Sequence, residues 1–154
     1  TGVQTCALPI FSGHADADGL MDWLRAFEAP PERTFVVHGE PGLDEISPIS
    51  TTQVRIIENG EMRREEWTPA TFGAQPADFS ALLAGETPLE NGDMLIEAVT
   101  QIHSNKCLAV LPSAAVAVRL AGLADSWVTG YELAREVVRS GKAAEKLEQL
   151  RKDA

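Results

Sequence analysis

Asn59-Gly60 stands between two runs of strand-forming residues, and this placement constrains the fold more than any other feature of the chain. Both residues tolerate positive φ, which a tight two-residue hairpin turn requires. In the incoming run, Val54 and Ile56 alternate with Arg55 and Ile57, so one face is expected to be buried. The returning run, residues 61–67, carries Glu61, Arg63, Arg64, Glu65 and Glu66, which suits an edge strand or a solvent face. A lone hairpin is marginal in water and needs a layer over it.

The rest of the chain supplies that layer. Residues 34–38 read as a further short strand. Before them, Leu20, Trp23, Leu24 and Phe27 recur at the spacing of one helix face, with Asp16 or Asp18 as cap and Pro30-Pro31 as stop. Downstream, a short helix is expected over residues 77–83, ended by Gly85, and a longer one from about Pro88 with Leu95, Val99 and Ile102 on one face. Residues 108–120 are Ala-rich with a single charge, Arg119, and a helix apolar nearly all round is normally buried against several neighbours. Pro112 suits a first helical position, so this helix is expected to start near it and to end at Gly122. Ser126 caps the next, with Tyr131, Ala134, Val137 and Val138 before Gly141. Residues 143–153 are amphipathic, with Leu147 and Leu150 expected inward. Strand, hairpin and helical run together predict an α/β fold.

With 154 residues, 44% hydrophobic and 23% charged, the chain suits one domain with a real core. Its net charge of −10 speaks against binding a nucleic-acid backbone, which needs a basic surface. No stretch has the length of a membrane span. Residues 7–11 are too short for a signal-peptide core and follow no positive segment. Cys6 and Cys107 lack metal-binding or redox spacing, and Cys107 falls in an apolar pattern as a small core residue. A reducing cytoplasm is the expected location.

The chemistry concentrates in Gly42-Leu43-Asp44-Glu45-Ile46-Ser47-Pro48, in the loop after the first strand. Asp44 and Glu45 are adjacent carboxylates on a backbone able to turn sharply. Hard divalent cations favour such oxygen ligands, and Mg²⁺ typically takes one or two carboxylates with waters and substrate phosphates. A solvated acidic turn is the alternative for a bare Asp-Glu pair.

From about Gly42 onward the chain resembles the C-terminal part of the anthranilate phosphoribosyltransferase family. The carriers, in the family's order, are the Gly42-Leu43-Asp44-Glu45-Ile46-Ser47 loop, the hairpin turning at Asn59-Gly60, Thr68-Pro69-Ala70-Thr71-Phe72-Gly73, the helix opening at Glu90-Asn91, Ala121-Gly122, and the tail over residues 134–150. Pro112-Ser113 departs from the Asn usual before the Ala-rich helix. The resemblance implies part of the large α/β domain of a family 3-type glycosyltransferase. The family's substrates are phosphoribosyl pyrophosphate and anthranilate, in tryptophan biosynthesis, and its full-length members are homodimers. It also implies that Asp44 and Glu45 hold Mg²⁺. The family's glycine-rich phosphate loop has no counterpart here: Gly2, Gly13, Gly19, Gly39 and Gly42 precede Asp44 without clustering. The expectation is a fragment inactive on its own.

The first residues read differently. Residues 1–10 resemble a translated sequencing adapter. Residues 11–41 resemble the C-terminal tail of metallo-β-lactamase-fold RNA-processing hydrolases, through Phe11-Ser12-Gly13-His14-Ala15-Asp16 and Phe35-Val36-Val37-His38-Gly39-Glu40-Pro41. In that family His14 would lie at the scissile phosphate and His38 would ligate zinc. The other ligands of such a centre are missing, and two histidines do not complete a zinc site. Val36-Val37-His38-Gly39 fits both families, so the sequence reads as a mosaic joined there: 1–10 leader, 11–41 hydrolase tail, 42–154 transferase segment.

Overall fold

The computed structural model describes residues 17–28, 33–58 and 60–152. Its elements are α1 (Ala17–Arg25), β1 (Arg33–Gly39), β2 (Thr52–Glu58), β3 (Glu61–Trp67), α2 (Pro88–Thr100), α3 (Asn105–Leu120), α4 (Trp127–Arg139) and α5 (Lys142–Lys152), with 3₁₀ turns at Pro69–Phe72 and Phe79–Leu82. The expected α/β fold is present. The three strands form an antiparallel sheet in the order β1-β2-β3, with β2 central. The hairpin turns where the sequence places it: Glu58 pairs with Glu61, and Gly60 has φ +79°.

Residues paired across neighbouring strands share a face. One face carries Phe35, Ile56 and Arg63, then Val37, Val54 and Glu65, then Gly39, Thr52 and Trp67. Against it pack Ile46, Phe72, Cys107, Leu111, Ala115 and Val116, with Tyr131, Ala134 and Val138 from α4. Trp127 joins this layer, with ring centroids 4.5 Å from Trp67 and 5.6 Å from Phe35. The Arg119 guanidinium lies 3.9 Å over the Trp127 ring, a cation–π contact that caps the aromatic group. Helices α3 and α4 approach closely because Gly130 has no side chain. A Cβ there would come within 2.7 Å of the Ala115 carbonyl oxygen.

The opposite face of the sheet is covered in part by α1, which lies across β1 and β2. Met21 is fully buried there, and Asp18 accepts from Arg55 at 3.1 Å and Arg64 at 2.6 Å. Central β2 is therefore buried on both sides, Ile57 as well as Val54 and Ile56, where the alternation predicts one buried face.

Other expectations shift for reasons of packing. In α1 the core residue is Met21; Trp23 and Phe27 are exposed and meet edge-to-face with centroids 4.7 Å apart. Asp18 pairs with arginines inside the first turn, while Asp16 and Pro30-Pro31 lie outside the described residues. The helix expected over 77–83 is a single 3₁₀ turn. Helix α3 begins at Asn105 rather than near Pro112, because Ser104 accepts from the Cys107 amide. Pro112 sits buried inside the helix. In α2 only Ala98 is buried, and Leu95 is exposed. In α4 Val137 is exposed, and in α5 Leu150 is exposed.

Candidate metal site in the acidic loop

The loop between β1 and β2 is built from its two ends inward. At the β1 end, Gly39 and Leu43 form a β-bridge: the Gly39 amide donates to the Leu43 carbonyl at 2.9 Å and the Leu43 amide returns at 2.6 Å. Gly42, at φ +103°, makes that reversal possible, a conformation that glycine adopts at little cost. At the β2 end, Ser47 is fully buried. Its amide donates to Thr52 Oγ1 at 2.8 Å, and its hydroxyl donates to the Glu40 carbonyl at 2.6 Å. The Ser50 amide donates to Ser47 Oγ at 3.1 Å, and the Glu40 amide to the Thr51 carbonyl at 2.8 Å. The loop crosses back directly over Gly39, where a Cβ would fall 2.5 Å from the Glu45 carbonyl oxygen and 2.9 Å from the Ser47 nitrogen. Ile46 anchors the same turn in the core.

Asp44 and Glu45 occupy the short exposed stretch between these clamps. Desolvation by the folded loop, with a further contribution from the Asp44 charge, holds the Glu45 carboxyl above the ordinary glutamate range. The Asp44 charge thus acts on its neighbour Glu45 within one short stretch held at both ends. Among the described residues no group of three or more His, Cys, Asp or Glu side chains gathers. Two carboxylates with open positions suit Mg²⁺ shared with water or phosphate better than a fully protein-ligated ion.

The other predicted residues do not join them. His38 is exposed at the penultimate position of β1, and His14 lies outside the described residues. Cys107 is buried, and burial pushes its thiol upward, as fits an inert core residue. Sequence reading missed Ser47 and Thr52. Their signal was available only as small hydroxyl residues following the acidic pair.

Residues 15–144 match a family described as "Glycosyl transferase family, a/b domain". The chain belongs to this glycosyl transferase family. The match takes in most of residues 11–41, including α1 and β1, as well as the acidic loop. Among similar proteins, an anthranilate phosphoribosyltransferase of Haloferax volcanii is 41% identical over 123 residues, covering 79% of this chain and 37% of that protein. One from Nitrosomonas europaea is 32% identical over 138 residues, covering 89% and 40%. The solved anthranilate phosphoribosyltransferase from Saccharomyces cerevisiae in complex with PRPP and Mg is similar in fold, with TM-score 0.63 and 30% identity. That match covers 75% of this chain and 33% of the yeast chain. The chain therefore spans roughly a third to two fifths of the length of these relatives. Among the described residues, no helix is long and apolar enough to cross a membrane.

Proposed function

We propose that this chain is the acidic-loop segment of an anthranilate phosphoribosyltransferase, with Asp44 and Glu45 as its Mg²⁺-holding pair. What supports the reading is the clamped backbone stretch that carries both acidic residues, in a chain whose relatives include a PRPP- and Mg-bound enzyme. When bound, Mg²⁺ would neutralise the charge that builds on a departing pyrophosphate.

The chain's own residues supply the holding. Asp44 and Glu45 provide oxygen ligands. Gly42, at positive φ, reverses the backbone ahead of the pair. The Glu45 carboxyl is held high by desolvation and by its neighbour's charge, and an adjacent cation favours its ionised form. On this reading the whole protein transfers phosphoribosyl from phosphoribosyl pyrophosphate to anthranilate, as a cytoplasmic homodimer in tryptophan biosynthesis. The chain alone carries no glycine-rich phosphate cradle and is expected to show no turnover above blank.

The test is thermal unfolding with and without Mg²⁺ and pyrophosphate. Stabilisation in the wild-type chain that disappears in the double variant Asp44→Asn, Glu45→Gln supports the reading. Equal stabilisation of both proteins, or of neither, contradicts it.

A further inference from the structure

Two hydroxyl side chains behind the acidic pair do more than fill space. Ser47 and Thr52 are both fully buried, and each hydrogen-bonds in a way that an apolar residue could not reproduce. Thr52 Oγ1 takes the Ser47 amide. Ser47 Oγ donates to Glu40 and receives the Ser50 amide. Glu40 follows Gly39, the residue bridged to Leu43. The hydroxyls therefore tie the exit of the acidic stretch to its entrance, and the backbone of Asp44 and Glu45 has only the short span from Leu43 to Ser47 in which to move. This strap bonds backbone groups rather than the carboxylates, so it acts on the pair through the backbone that carries it.

We infer that Ser47 and Thr52 are positioning residues that fix the angle at which Asp44 and Glu45 meet a divalent cation, and so set its affinity. The inference rests on the proposed Mg²⁺ role of the acidic pair. Thr52→Val replaces a hydroxyl with a methyl of similar size and leaves the Ser47 amide buried without its acceptor. Thr52→Ser restores the hydroxyl. Ser47→Ala releases Glu40 and Ser50 together.

Calorimetric titration of the chain with MgCl₂ reads the effect directly. Affinity should fall about tenfold in Thr52→Val and Ser47→Ala, within the range seen when such supporting hydrogen bonds are removed. It should return to the wild-type value in Thr52→Ser. Amide exchange at Leu43 should speed up in the first two variants only. Val138→Ala, a core truncation in α4, is the folding control: it should lower the denaturation midpoint and leave Mg²⁺ affinity unchanged. Wild-type uptake of Mg²⁺ with unaltered affinity in Thr52→Val overturns this inference alone. An equal loss of affinity in Val138→Ala also overturns it, since general destabilisation would then explain the effect. Absence of saturable Mg²⁺ uptake by the folded wild-type chain overturns the role of the acidic pair, and this inference with it.

Discussion

The acidic loop and helix α2 present opposite solutions to exposure. The loop shows two carboxylates to solvent, yet its backbone is pinned by a β-bridge, buried hydroxyls and a close crossing over Gly39. Helix α2 has a well-formed start, with Thr87 and Glu90 capping each other's backbone, but buries only Ala98 and leaves Leu89, Leu95 and Ile96 largely exposed. The loop's order comes from local hydrogen bonds, with Ile46 as an apolar anchor in the core. The helix is locally specified but weakly tied to the core. Stability and function should therefore respond differently to substitution in the two regions.

The largest contrast lies between the core under the loop and the outer face of the helix. Phe72→Ala, at a residue 1% exposed, should cost about 3–5 kcal/mol in urea denaturation. Leu95→Ala, at 52% exposure, should stay within about 0.5 kcal/mol. Similar costs at the two sites would mean that α2 is packed more tightly than its exposure indicates.

A step smaller is Gly39→Ala. The new methyl meets backbone atoms of Glu45 and Ser47 that cannot swing aside, so a cost of about 1–3 kcal/mol is expected, with weaker Mg²⁺ binding. Asn91, on the exposed side of α2, should tolerate alanine far better, although its side chain bonds Gly85 and Thr87. Next comes the α2 cap: Thr87→Ala should cost about 1 kcal/mol and leave Mg²⁺ binding unchanged, as measured by denaturation and calorimetry.

The smallest effect is in pH. The Glu45 carboxyl is raised in the folded state, so the native chain holds its proton more tightly than the unfolded chain does. Between the ordinary glutamate value and the raised one, the native state binds more protons, and this group's contribution to stability falls as pH rises. Above that window the penalty is constant. Without metal, Glu45→Gln should be slightly more stable than wild type at neutral pH, and the advantage should vanish as pH falls through the window. Asp18 behaves oppositely. Its hydrogen bond to Arg55 lowers it, so its contribution is present at neutral pH and lost on acidification. Asp18→Asn should therefore lose a little stability at neutral pH, by an amount that added salt reduces.

The same contrast explains how much could be read from sequence. The hairpin, the Ser126 cap, the chain reversal at Gly42 and the acidic pair depend on residues near one another in the chain, and each is where the sequence places it. Burial depends on which elements arrive from elsewhere. Met21 rather than Trp23 faces the sheet because α1 lies across β1 and β2, and Leu150 stays outside because nothing among the described residues covers that side of α5. Pro112 misleads because a helix-start signal at Pro is weaker than the Ser104 cap two turns earlier. Ser47 and Thr52 were illegible as partners, since only the folded crossing brings the Ser47 amide to the Thr52 hydroxyl.

The join expected at Val36-Val37-His38-Gly39 falls inside β1. That strand pairs with β2 along its full length, and Gly39 is fitted beneath the acidic loop.

The central claim is that Asp44 and Glu45 grip a divalent cation, and Mn²⁺ in place of Mg²⁺ tests it most directly. Substoichiometric Mn²⁺ should selectively broaden the backbone amide resonances of Leu43, Asp44, Glu45 and Ile46, and excess Mg²⁺ should restore them. Broadening centred on another acidic surface, or spread evenly over the chain, would contradict the account.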